Sequence, residues 1–160
     1  MTVTTQVSDQ IANTQAVPEV KNKVSDLTGK VRFARFDFTQ VGAGDAASTV
    51  DLVKMPHGRI RIVPILSRLV AAAFGAARTL DVGHTGYTKV DGEAVNASVD
   101  FVLDGLDVSG ATSAYMGTGT NGVEEIEIES KSGFTLQAKV AGGTIPAGTT
   151  LSGWIAYVKD

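Results

Sequence analysis

The strongest constraint on the fold is an alternating stretch at residues 134–140. Successive side chains of a β-strand point to opposite faces of a sheet, so a period of two predicts a half-buried strand. The residues between the apolar positions are Thr, Gln and Lys. Glycine and proline residues at 142–148 then predict a turn. The apolar positions are Phe134, Leu136, Ala138 and Val140.

A second strand is predicted after this turn, at the C-terminal end of the chain. Its apolar residues occupy both parities, with Trp154, Ala156 and Val158 alternating with Ile155 and Tyr157. A strand that is apolar on both faces lies deep in a fold or in a contact between subunits. We therefore predict that Trp154, Ile155 and Tyr157 contribute to an oligomer contact.

Composition excludes several classes of function. The chain has 160 residues, a length suited to one domain, and no cysteine, which rules out disulfides and thiolate metal sites. The net charge of −3 is spread along the sequence without a basic patch, so nucleic acid is not an expected partner. The longest nearly uncharged apolar run, at 69–77, is too short to span a bilayer, so no membrane association is expected.

Residues 1–30 differ from the rest of the chain because they contain no aromatic residue and are rich in polar residues. Such a segment cannot bury itself, and Pro18 argues against one continuous helix, so we predict an extended N-terminal arm. A frayed terminus is the alternative. Spaced apolar residues favour an arm that becomes ordered on a partner and predict the binding positions Val7, Ile11, Val17, Val20, Val24 and Leu27.

Residues 31–160 are predicted to form a β-sandwich or barrel of about eight or nine short strands. The apolar residues near the start change parity between Phe33 and Phe36, which predicts a β-bulge at Ala34–Arg35. Pro64 predicts an edge or a kink. Residues 68–78 fit either a helical turn or a strand followed by a turn at 74–76 that leads into a second strand at 79–84, and we favour the strands.

Motifs that suggest binding chemistry have simpler explanations. The glycine string at 117–122 matches GxGxxG, but a strand-like stretch follows where a dinucleotide site needs a helix. Asp100, Asp104 and Asp107 lack the spacing of an EF-hand, although a looser calcium site stays open. The alternative is that these aspartates bind nearby backbone amides in turns. We expect no cofactor and no metal.

Catalytic patterns are equally weak. His57 and His84 have no metal-site spacing, and no GxSxG elbow supports a hydrolase, although a triad assembled in space is not excluded by sequence. Glu125, Glu127 and Glu129 alternate along one strand, which is typical of a solvent-facing side. We therefore expect a protein that is not an enzyme.

Several strings together resemble a known family, the capsid decoration or cement proteins of tailed bacteriophages. They are DAASTVDLVKMPHGRIRI at 45–62, TLDVGHTGY at 79–87, FVLDGLDV at 101–108, ESKSGF at 129–134 and AGGTIPAGTTLSGWIAYVKD at 141–160.

This resemblance implies a jelly-roll-like antiparallel sandwich that forms a homotrimer on the outer surface of the virion. It also implies that the N-terminal arm lies across the major capsid protein and stabilises contacts between capsid subunits. The family has no catalytic residues to transfer. The alternative is a receptor- or glycan-binding knob of a phage fibre or spike, with a pocket near Tyr87, Tyr115 or the loop at 117–122.

Overall fold

The computed structural model describes residues 17–18, 30–42, 49–116 and 126–160. These residues form twelve strands and one 3₁₀ turn, Pro64–Leu66. Within them, no helix has the length and apolar character needed to cross a membrane. The strands are β1 (Val31–Thr39), β2 (Thr49–Met55), β3 (Gly58–Ile62), β4 (Arg68–Ala71), β5 (Thr79–His84), β6 (Tyr87–Thr88), β7 (Ala94–Val95), β8 (Ser98–Asp107), β9 (Thr112–Tyr115), β10 (Ile126–Ser130), β11 (Phe134–Ala141) and β12 (Thr150–Lys159).

The first sheet is built around β12. Strand β1 pairs with β12 along one side, while β3 and β4 pair with successive segments of its other side. Strands β10 and β9 in turn pair with β3 and β4. Because β3 and β4 run in line, as do β9 and β10, the sheet has four strand positions in the order β1, β12, β3–β4 and β9–β10.

The second sheet has the order β2, β11, β5 and β8, and β6 and β7 form a separate small hairpin. All pairings in both sheets are antiparallel. The chain alternates between the sheets, so that consecutive long strands mostly lie in different layers. Two four-position antiparallel sheets connected in this way form a jelly roll. The predicted all-β, jelly-roll-like sandwich is therefore confirmed.

The core lies between the two sheets and follows the alternation predicted from sequence. In β11 the side chains of Phe134, Leu136, Ala138 and Val140 are buried, and the residues between them are partly exposed. Strand β12 lies in the middle of the first sheet, and its residues Ile155 and Ala156 are both fully buried although they point in opposite directions. The prediction that this strand lies deep in the fold is confirmed.

The predicted β-bulge at Ala34–Arg35 is wrong. Strand β1 pairs with β12 in one unbroken register from Val31 to Thr39. Phe36 points into the core and is 6% exposed, whereas Phe33 lies on the other face and is 59% exposed. The change of parity requires a bulge only if Phe33 and Phe36 are both buried. No inserted residue is needed because Phe33 remains on the outer face.

The kink predicted at Pro64 is confirmed, because the 3₁₀ turn begins there and separates β3 from β4. The hydroxyl of Ser67 compensates for the break. It donates to the Val63 carbonyl (3.0 Å) and accepts from the backbone N–H of Ala156 (2.9 Å). The strand interpretation of residues 68–78 is also confirmed, because β4 lies within them and the second predicted strand, at 79–84, is β5.

Candidate interaction surface

A row of alternating cationic and aromatic side chains crosses the outer face of the first sheet. Arg35 pairs with Trp154, Trp154 with Arg68, and Arg68 with Tyr115. Directly paired residues in antiparallel strands project from the same face. These four residues, named the outer-face row, therefore place two aromatic rings and two guanidinium groups side by side.

Contacts within the sheet hold this row in place. The indole Nε1 of Trp154 donates to the Leu66 carbonyl (2.8 Å), and Nε of Arg68 donates to the Ser113 hydroxyl (2.9 Å). The Arg68 guanidinium carbon lies 6.0 Å from the centroid of the Tyr115 ring, at the outer range of a cation–π contact. These contacts hold Trp154, Arg68 and Tyr115 in place before any partner binds, which reduces the entropy lost on binding.

Exposed apolar side chains surround the row and extend it into a larger surface. Phe33 and Val70 share its face of the sheet, and Leu66 is the residue whose carbonyl accepts from Trp154. Each of the three is more than one third exposed. We name the row together with Phe33, Leu66 and Val70 the outer-face patch. Trp, Tyr and Arg surrounded by apolar residues are typical of the energetic centre of protein interfaces.

Ion pairs mark the polar end of the same face. Arg59 lies 3.3 Å from Glu127 and 3.6 Å from Glu129, and all three side chains are partly exposed. The solvent-facing position predicted for Glu127 and Glu129 is therefore confirmed, while Glu125 lies outside the described residues. Exposed pairs of this kind contribute little to stability. The charged side chains of Arg59, Glu127 and Glu129 limit the apolar part of this face to the region around Trp154.

The three predicted oligomer contacts do not share one surface. Trp154 belongs to the outer-face patch, and Tyr157 projects from the opposite side of β12 beside Arg32. Ile155 is completely buried in the core of its own chain, so its side chain is not available to a partner. The alternation in the sequence identifies the strand. Because both of its faces are apolar, the sequence does not show which face lies in the core and which lies on the surface. The oligomer contact itself stays a prediction.

The residues predicted to bind through the N-terminal arm are placed only in part. Val17 is 98% exposed. The other five, Val7, Ile11, Val20, Val24 and Leu27, lie outside the described residues. The division into an arm at 1–30 and a sandwich at 31–160 stays a prediction.

His84 contributes to the core. Its side chain is 3% exposed and makes edge-on ring contacts with Tyr87, Phe101 and Phe134 at centroid distances of 5.2, 4.8 and 6.2 Å. Its Nδ1 donates to the Thr85 carbonyl at 2.8 Å. Burial in the same cluster raises the pKa of the Tyr87 hydroxyl. These contacts explain the presence of His84 at this position by its packing in the core.

The aspartates considered for calcium lie along strand β8, and two of them accept local hydrogen bonds. Asp100 accepts from the Ser98 hydroxyl (2.9 Å). Asp107 accepts from the backbone N–H of Ser109 (2.8 Å), and this bond lowers the pKa of Asp107. Across residues 30–42, 49–116 and 126–160, no three His, Cys, Asp or Glu side chains are grouped as metal ligands. The glycine string at 117–122 lies outside the described residues.

Two solved structures contain chains whose fold is similar to that of this protein. A chain in the structure of the cyanophage Pam1 capsid asymmetric unit is 13% identical, with a TM-score of 0.54, and the match covers 84% of this chain and 88% of that chain. A chain in the structure of the capsid of Ralstonia phage GP4 is 24% identical, with a TM-score of 0.56, over 88% of this chain and 91% of that chain. No family model and no curated protein matches the sequence. At these identities the two structures establish a shared fold.

Proposed function

We propose that this chain is a structural virion protein, a decoration or cement protein that binds the outside of a phage capsid. In this proposal it forms a homotrimer, and its N-terminal arm extends over the major capsid protein. The arm then stabilises contacts between neighbouring capsid subunits. The molecule acts by binding, and no covalent bond is made or broken.

The observation that supports this proposal most is the extent of the fold match. Chains from two phage capsid structures share the jelly roll over more than four fifths of both chains being compared. The match thus covers most of each of those two chains. The string resemblance to decoration proteins, which extends over much of residues 31–160, points to the same role.

The outer-face patch supplies a surface suited to association. It combines Trp154 and Tyr115 with Arg35 and Arg68, and these residue types dominate the binding energy of many interfaces. We assign this patch to the contact between copies of the chain. A trimer then presents three arms, and linking three weak contacts raises the overall affinity well above that of one arm.

The arm is tested by binding to capsids that lack this protein. Replacing Ile11 and Val24 by Asp removes two apolar side chains and adds two charges to the predicted arm. We expect this variant to remain folded, because the sandwich begins at Val31, and to lose at least tenfold in affinity, about 1.4 kcal/mol. Co-sedimentation with the capsids measures the loss.

A matched control adds the same charges at polar positions, Thr4→Asp and Ser25→Asp. We expect this control to bind within about threefold of the unmodified chain. Deletion of residues 1–30 provides the extreme case and should abolish binding while leaving the sandwich folded. Capsid binding by the deleted chain at full affinity would contradict the role of the arm.

The site on the particle is tested by imaging the intact virion. A decoration protein is expected at repeated positions over the whole outer shell, near three-fold axes. Density confined to a fibre or spike would contradict the proposal and favour the receptor-binding alternative.

A further inference from the structure

A second surface feature lies at one end of the sandwich, where the two sheets open towards solvent. It is a cavity of about 470 Å³ between β1 and β12 of the first sheet and the end of β2 in the second. The lining residues are Arg32, Lys54, Met55, Pro56, His57, Ser132, Tyr157 and Lys159. This basic pocket faces away from the outer-face row, because Arg32 and Tyr157 project from the opposite side of their strands.

The charge of the basic pocket is opposite to that of the whole chain. The sequence has 17 acidic and 14 basic residues, yet Arg32, Lys54 and Lys159 line this cavity without any lining carboxylate. In the described part of the chain, none of these three cations forms an ion pair. Asp160 follows Lys159 but is not part of the lining, and its backbone N–H bonds to the Arg59 carbonyl. Three cations with no carboxylate among the residues that line the cavity favour the binding of an anion.

The walls of the basic pocket are fixed by close backbone approaches. A Cβ added at Gly133 would lie 2.5 Å from the Met55 carbonyl oxygen, so the turn that bears Ser132 is pressed against the end of β2. A Cβ added at Gly58 would lie 3.7 Å from Cε of Lys159, which shows that this side chain runs over the β2–β3 turn. Met55 is buried and forms an apolar floor. The cationic groups thus line an open cavity whose floor and adjoining turns belong to the folded sandwich.

We propose that the basic pocket binds a small ligand that carries an oxyanion, either a carboxylate or a phosphate. Guanidinium and ammonium groups form strong charge-assisted hydrogen bonds with such oxyanions, and the Ser132 and Tyr157 hydroxyls add neutral donors. The volume falls in the range of small-molecule sites. The proposal is independent of the role in the virion, because it depends only on this cavity.

The test is a titration of the full-length protein, followed by the amide resonances of Tyr157 and Lys159. The probes are glucuronate, its uncharged counterpart glucose, and inorganic phosphate. We expect saturable shifts with glucuronate and phosphate, none with glucose, and weaker binding as salt screens the charges. Tighter binding of glucuronate than of phosphate indicates a carboxylate-bearing ligand, and tighter binding of phosphate indicates a phosphate-bearing or free oxyanion; each supports the oxyanion site.

Two lysines on paired strands of the second sheet provide a matched comparison. Lys54→Gln removes a charge from the basic pocket, whereas Lys139→Gln removes one near the other end of the same pair of strands. Lys54→Gln alone should weaken anion binding, and adding Arg32→Gln and Lys159→Gln should lower it at least about tenfold. Lys139→Gln should leave it unchanged. Equal binding of glucose and glucuronate, absence of anion binding, or equal affinity of the triple variant would overturn the proposal.

Discussion

At the scale of single residues, Gly83 shows how tightly the second sheet is packed. A Cβ at this position would lie 1.9 Å from the Ser98 carbonyl oxygen and 2.5 Å from the Val99 carbonyl carbon. Strands β5 and β8 can approach this closely only where no side chain intervenes. The glycine is thus required by the space available and not by a left-handed backbone.

We expect Gly83→Ala to lower the free energy of unfolding by roughly 1–3 kcal/mol, the usual cost of forcing extra atoms into a packed region. Chemical denaturation measures this change. Gly110→Ala is the control, because a Cβ there meets no atom within 4 Å, and its effect should stay within about 0.5 kcal/mol. Equal stability of the two variants would show that β8 moves to accommodate the methyl group.

At the scale of strands, two phenylalanines of β1 that look equivalent in the sequence lie on opposite faces of the sheet. Phe36 packs in the core, and Phe33 lies on the outer face three positions earlier. Truncating a buried phenylalanine removes apolar burial and leaves a cavity, whereas truncating an exposed one removes little.

We therefore expect Phe36→Ala to destabilise the isolated protein by about 3 kcal/mol or more and Phe33→Ala by less than about 1 kcal/mol. Thermal or denaturant unfolding at low protein concentration measures both values. Similar losses for the two variants would support the bulged strand that the sequence pattern suggested.

The same strand shows why some features could be predicted from sequence and others could not. The alternation in β11 is local, so seven consecutive residues were enough to assign its buried side. Whether Phe33 is buried depends on what covers the outer face of the sheet, and the sequence of a single strand does not contain that information. The outer-face row joins positions from residue 35 to residue 154 through strand pairing. No linear pattern identifies such a row.

The basic pocket was missed for the same reason. Its cations are at positions 32, 54 and 159, so they are far apart in sequence and form no basic cluster along the chain. They meet because β1 pairs with β12 while β2 ends above them in the other sheet. Predicting that these three positions are close in space requires the complete order of strands in the jelly roll.

At the scale of the whole molecule, the two exposed features occupy different parts of the sandwich. The outer-face patch covers one broad side, while the basic pocket opens at one end between the sheets. Strand β12 contributes to both, with Trp154 on the patch and Tyr157 at the pocket. A central strand can serve two surfaces because its successive side chains point in opposite directions. Association through the patch therefore leaves the anion site open.

This separation leads to a prediction about self-association. If three copies associate through the outer-face patch, burial of its apolar side chains contributes most of the free energy, and a buried charge there is costly. Val70→Asp places a carboxylate within the patch, and Val90→Asp places one at an exposed position in the turn between β6 and β7. We expect the unmodified chain and Val90→Asp to sediment as trimers, and Val70→Asp to sediment as a monomer with an unchanged strand content. A Val70→Asp protein that remains trimeric at the same concentration would show that the copies associate through another surface.

The outer-face patch would then be free to contact the capsid shell. In that case the same variant would lower capsid binding without changing the oligomeric state.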